Sequence, residues 1–73
     1  MKTKEEYLNE AKKGLLKVGE RCVITHVKSV DFYKQGVVLS HFPYCGNYFW
    51  DYLIQLDDGK VIYKDKCFVD SVL

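Results

Sequence analysis

Tyr52-Leu53-Ile54-Gln55-Leu56-Asp57-Asp58-Gly59-Lys60-Val61-Ile62-Tyr63 is the stretch whose reading decides the fold. Two runs of strand-forming residues flank Asp-Asp-Gly, and aspartate followed by glycine adopts the conformations a tight reversal demands, so the stretch predicts a β-hairpin. Side chains alternate across a strand, which puts Tyr52, Ile54 and Leu56 on one face and Leu53 and Gln55 on the other. The first set is the more apolar and is expected inside. Continued upstream, the alternation sends Tyr48 and Trp50 to the Tyr52 face and Phe49 to the Leu53 face. A bulge near Asn47 is the open alternative; it would reverse the register and bury Phe49 instead.

Further strands are legible on both sides of this hairpin. Arg21 to Lys28 is rich in β-branched residues, with Cys22 and Ile24 on one face and Val23, Thr25 and Val27 on the other. A second strand reads from Gly36 through Ser40, the third from about Tyr48 to Leu56, the fourth from Lys60 to Tyr63, and a turn with a last strand spans 67–73. Five short strands in about fifty residues are too few for a sandwich, and curling them into a small barrel removes most exposed edges. Ahead of them, Thr3 and Glu6 have the spacing of a capping box, and good helix formers run to Gly14, a natural C-terminal cap. The expectation is a short helix over 3–14 and a β unit over 16–73, together one domain spanning 1–73. Tyr7, Leu8, Ala11 and Leu15 form an apolar stripe on that helix, which packs on the β unit or, if left exposed, meets a partner or a second copy.

With 73 residues the chain has room for one thin core, since a domain this small buries only about 60% of the surface its unfolded chain exposes. Nearly half the residues are hydrophobic and 15% are aromatic, which excludes a disordered chain. A net charge of +1 makes no strong electrostatic bid for nucleic acid. Cys22, Cys45 and Cys67 are an odd count, and no apolar segment follows the charged start. The expectation is free thiols, a cytoplasmic location and no membrane span.

From Leu16 to Leu73 the chain resembles the Src-homology-3-like small barrels of the Tudor and KOW kind. The likeness rests on Val18-Gly19-Glu20 leading into Arg21-Cys22-Val23-Ile24, on Gly36-Val37-Val38 opening the second strand, and on Asp57-Asp58-Gly59 closing the third strand onto the fourth. It implies a mainly β (α+β) fold, a five-stranded barrel preceded by the N-terminal helix. The lysine- and tyrosine-rich build is also similar to accessory proteins carried by bacteriophages. That similarity implies binding to a host protein, as an inhibitor or modulator of an enzyme or complex. Fold likeness alone does not fix function.

Between His41 and Tyr52 lie six of the eleven Phe, Trp and Tyr residues. Some must fill the core; the remainder are candidates for a surface platform made of Tyr44, Tyr48 and Trp50, with Phe32 and Tyr33 from the first long connection and Asp51 beside them. Aromatic side chains dominate protein-interface hot spots and also stack on unpaired bases. Asp31, Asp51, Asp57 and Asp58 near the platform would repel phosphates, so a protein partner is favoured. The alternative is nucleic acid, stacked on Tyr44 and Tyr48 and tracked by a lysine face of Lys28, Lys60, Lys64 and Lys66, which otherwise reads as a solvated edge. A cage of Tyr44, Tyr48, Trp50 and Asp51 around a methylated cation is a third possibility that the Tudor resemblance implies.

No enzyme chemistry is expected. His41 and Cys45 are the one nucleophile–base pair close in sequence, and nothing orients the imidazole. Cys22 and His26, four apart on a strand, would be separated by about 13 Å and could not share an ion. No metal or cofactor is expected.

Overall fold

The computed structural model describes residues 3–6, 14–44 and 49–72. Five antiparallel strands form one sheet in the order β4-β3-β2-β1-β5: β1 Arg21–Ile24, β2 Gln35–Tyr44, β3 Phe49–Leu56, β4 Val61–Asp65 and β5 Val69–Ser71. A 3-10 helix, Lys66–Phe68, joins β4 to β5 and is capped by Asp65, whose carboxylate accepts from the Cys67 N–H. The sheet is open: β4 and β5 are its edges and do not pair with each other. The mainly β reading holds, whereas the expected closure into a barrel is absent from the strand pairing. At the N-terminus residues 4–6 are helical, and the Glu6 N–H donates to Thr3 Oγ1 at 3.2 Å, as the capping spacing predicts. The remainder of the expected helix, with Tyr7, Leu8 and Ala11, lies outside the described residues.

The hairpin that decides the fold forms as expected. Leu56 N–H donates to Lys60 O, Gly59 N–H donates to Leu56 O, and Gly59 takes φ +93°, a backbone state that side-chain-bearing residues resist. This register brings Gln55 opposite Val61, Leu53 opposite Tyr63 and Asp51 opposite Asp65. Trp50, Tyr52, Ile54 and Leu56 then all point to one side of β3 and are buried. Tyr52, Ile54 and Leu56 cluster with Cys22 and Ile24 of β1, Val38 of β2 and Val69 of β5, and half-buried Leu15, Leu16 and Ile62 pack against that cluster. The Tyr52 hydroxyl is not wasted inside: it accepts the Leu16 N–H at 2.8 Å and so pins the incoming chain across the core. The valine-glycine-acid entry also acquires a physical role. Gly19, at φ +89°, lets its N–H reach Val38 O, and the Glu20 carboxylate accepts from Lys17 N–H and Ser71 Oγ, tying the entry to β5.

Two departures from expectation share one cause, the local geometry of β1 and β2. The first strand ends at Ile24 rather than near Lys28, because Ile24 bonds back to Lys34 and Tyr33 and so closes the neck of a loop over 25–33. That loop is tied to the β3–β4 hairpin by side chains: Lys64 Nζ is 3.2 Å from His26 Nδ1, and Lys60 Nζ is 3.2 Å from both Asp31 oxygens. The second strand is longer than expected and bulges between Val38 and Ser40, not near Asn47. Before the bulge Val38 points inward opposite Ile54; after it His41 points inward opposite Tyr52 and Phe42 outward opposite Asp51.

Gly36 marks the tightest crossing, between β1 and β3. A Cβ there would collide with the Gln55 carbonyl oxygen and sit 2.9 Å from Leu56 Cα. Gly36→Ala is expected to destabilise the fold by ~1–3 kcal/mol or more, since backbone atoms on a central strand cannot give way. Urea denaturation followed by circular dichroism checks this; an unchanged midpoint would refute the crowding.

Candidate functional site

The two halves of the expected aromatic platform are not brought together. Phe32 and Tyr33 are exposed and stacked on one another at 5.7 Å, at the end of the sheet where β2 begins. Phe49 pairs with Tyr44 at the far end of β2, roughly 25–30 Å away along the strand. Trp50, which the platform requires at the surface, is turned inward and only 6% exposed, with its ring edge-on to His41. Its alternation with Tyr52 and Ile54 is uninterrupted, so the core claims it. Asp51 faces the opposite side of the sheet from Trp50, which also separates the members of the cation cage. Tyr48 and Cys45 lie outside the described residues, and Tyr44 is described only as the last residue of β2.

Lys60 and Lys64 of the alternative face have internal partners. Lys60 is bound to Asp31, and Lys64 alternates to the inner side of β4 against His26, whose ring stacks on Phe68 at 4.0 Å. Lys66 belongs to the 3-10 helix, and Lys28 is exposed in the 25–33 loop. Among the described residues no three His, Cys, Asp or Glu side chains gather as metal ligands. Cys22 is buried, which pushes its thiol up, and the exposed Cys67 thiol is held up by its hydrogen bond to the Asp65 carboxylate, so neither is poised as a thiolate.

What the structure does assemble is a surface on the outward side of β2, β3 and β4. The Phe42 ring reaches over β3 to Tyr63, centroids 6.0 Å apart, passing between Asp51 and Leu53. Phe49 and Val61, 56% and 51% exposed, extend the apolar area toward opposite ends of the sheet, and Tyr63 is 66% exposed. Beside the aromatic pair, Asp51 and Asp65 stand directly opposite each other. Like charges in that relation repel. Partial burial first, and then Asp65, push the Asp51 carboxyl up. Asp65 spends one oxygen on the Cys67 N–H, whereas among the described residues Asp51 has no hydrogen-bond or ion-pair partner.

The sequence reading included Phe42 in its aromatic segment and named Asp51, but missed Tyr63 and Asp65. Both were findable, because Val61, Tyr63 and Asp65 alternate onto one face and the Asp57-Asp58-Gly59 turn sets which residues they oppose. Comparison with family models, with curated proteins and with solved structures finds no match to this chain.

A second charged cluster is structural in character. Asp31 is 4% exposed and receives Lys34 and Lys60; Lys34 also reaches Asp58 at 3.3 Å, and Arg21 grips Asp57 through two hydrogen bonds of 2.7 and 2.8 Å. The carboxylates beside the open groove of about 230 Å³ formed by Lys34, Gln35, Leu56, Asp57 and Asp58 are thus already satisfied.

Two predictions follow from this distribution. Trp50→Ala should cost ~3 kcal/mol or more of stability, the price of removing a buried aromatic, rather than acting on binding alone; a denaturation midpoint equal to wild type would return Trp50 to the surface. The second concerns acid. Burial would raise Asp31, but the ammonium groups of Lys60 and Lys34 outweigh it and hold the carboxyl low; Arg21 lowers Asp57, and the Lys60 N–H and then Lys34 lower Asp58. Carboxyls lowered on folding stabilise above the unfolded value and lose that contribution as pH falls through the folded one. The melting temperature should therefore drop below about pH 4, and Asp31→Asn should flatten that drop while lowering stability at pH 7. Asp51 works the other way: a raised carboxyl favours the fold while protonated and ceases to as pH rises through its folded value. Thermal melts from pH 2 to 8 check both signs.

Proposed function

We propose that the protein is a non-enzymatic binding module that docks a protein partner on the outward face of β2, β3 and β4. The observation that carries this reading is the Phe42–Tyr63 pair held at the surface, between Leu53 on one side and the Asp51–Asp65 pair on the other. A chain with so small a core would gain stability by burying such side chains, yet it keeps them outside. Rigid aromatics lose little conformational entropy on docking and contribute strongly at interface centres. The carboxylates favour a protein over a phosphate backbone, which they would repel. The strand order with a 3-10 helix before β5 supports the finer reading of an Src-homology-3-like unit. Action as an inhibitor or modulator of a host enzyme, and a cytoplasmic setting, fit a small module with free thiols at Cys22 and Cys67. Among the described residues no helix is long and apolar enough to cross a membrane.

Tyr63→Ser should fold, because the side chain is largely exposed, and should reduce capture of the partner from a nuclease-treated native lysate by about tenfold or more. Tyr33→Ser, at the other end of the sheet, should leave capture unchanged. Equal loss with both variants, or loss with Tyr33→Ser alone, would move the site to the 31–34 connection.

A further inference from the structure

We infer that a second copy of this chain pairs with the free edge of β4, antiparallel and across a twofold axis between Ile62 and its counterpart, joining the two five-stranded sheets into one. The inference goes beyond the docking of a different partner and stands without it.

The register of the β3–β4 hairpin fixes which backbone groups the edge offers. The Leu56 N–H donates to Lys60 O, so residues 56 and 60 form a hydrogen-bonded pair. Such pairs alternate with non-bonded ones along an antiparallel ladder, which makes Ile54–Ile62 bonded and leaves Gln55–Val61 and Leu53–Tyr63 non-bonded. In a non-bonded pair the backbone groups of the two residues point away from each other. The N–H and C=O of Val61 and of Tyr63 therefore point out from the sheet edge, two donors and two acceptors that no strand meets among the described residues. Natural edges are commonly blunted by proline, a bulge or lysine side chains. β4 reads Val-Ile-Tyr-Lys-Asp with an unbroken register, and Lys60 and Lys64 are turned to Asp31 and His26. The other edge strand, β5, is only three residues long.

The edge is its own complement. With Val61 opposite Tyr63 of the second copy, and Tyr63 opposite its Val61, all four outward groups of each copy are satisfied in two hydrogen-bonded pairs. Ile62 then meets the second copy's Ile62 in a non-bonded pair, where side chains approach most closely. On the outward face the opposed side chains are a tyrosine and a valine, both exposed in the single chain, and an aromatic against a β-branched residue is a favourable cross-strand combination. Centring the axis on Tyr63 instead would set Val61 against Asp65, a poorer match. Antiparallel pairing keeps both outward faces on one side, so the Phe42–Tyr63 pairs of the two copies flank the axis on a single doubled face. Lys60 opposite Lys64 of the second copy is unfavourable, eased by Asp31, which already holds Lys60. The contact is short beside standard interfaces, which bury about 800 Å² per partner, so a Kd of roughly 10–100 μM is expected.

Sedimentation equilibrium of the full 73-residue chain with a reductant, from about 5 μM to about 1 mM, should show the mean mass rise from one copy toward two. Val61→Pro removes an N–H that points away from β3, so the hairpin keeps its ladder while the edge loses a donor. That variant should stay a single copy over the same range, with a circular dichroism spectrum like that of the wild type. Under mild oxidation Ile62→Cys should cross-link to a dimer well beyond the wild type, whose own cysteines are the control. A non-bonded pair sets its Cα atoms about 4.5 Å apart, within disulfide reach. A wild-type chain still of single mass at the highest concentration, a folded Val61→Pro that associates as the wild type does, or an Ile62→Cys that cross-links no more than the wild type would overturn the inference. Should proline unfold the chain, Ile62→Cys decides. Only the purified chain is present, so failure here leaves the docking face to the lysate capture.

Discussion

Trp50, Tyr52, Ile54 and Leu56 project from one side of β3, and a single open sheet has little with which to cover them. The rest of the molecule answers that constraint. β1 and β5 carry Cys22, Ile24 and Val69 to meet the row, the 15–16 segment is drawn over it by the hydrogen bond from Leu16 to Tyr52, and β4 adds Ile62 from its own inward side. Gly36 permits the close approach of β2 to β3 that lets these few side chains touch. With so many residues drafted to one side, the opposite side of β2, β3 and β4 is left with no layer of its own among the described residues.

The charged residues divide into two populations with different work. Asp31, Asp57 and Asp58 are each bound by a named cation and fasten the 25–33 loop and the start of β1 to the β3–β4 turn. Their favourable pairing depends on ionised carboxylates, which is why acid should loosen that end of the molecule first. Asp51 and Asp65 instead face each other across β3 and β4. Structural ion pairs and a directly opposed carboxylate pair in one small protein make a contrast that net charge, close to zero, conceals.

Much of this was legible in the chain. Asp57-Asp58-Gly59 set the β3–β4 register, the period of two placed Tyr52, Ile54 and Leu56 inside, and Thr3 with Glu6 gave the cap that is seen. The positions of the strand ends were not legible, because Thr25 to Val27 has the composition of a strand and leaves the sheet only through the bonds that Ile24 makes with Tyr33 and Lys34. Nor was the surface site, for a related reason. Grouping aromatics by proximity in sequence joined Trp50 to Tyr44, although neighbours on a strand point to opposite sides; grouping by register would have joined Phe42 to Tyr63 across twenty-one positions. Tyr33 is a further case: its φ of 70° is uncommon for a bulky residue and has no signature in the sequence.

The bulge at Leu39 decides more than the shape of β2. Up to Val38 the even-numbered residues look inward, and beyond it the odd-numbered ones do. That single inserted residue is what presents Phe42 to the outside and leaves His41 within. In evolutionary terms, one codon gained or lost there would exchange the two sides of the distal strand at a stroke, turning a displayed aromatic surface into interior and interior into surface. Such a site lets a small domain acquire or discard a binding face by a length change, while the Tyr52, Ile54 and Leu56 row that holds the fold keeps its sequence.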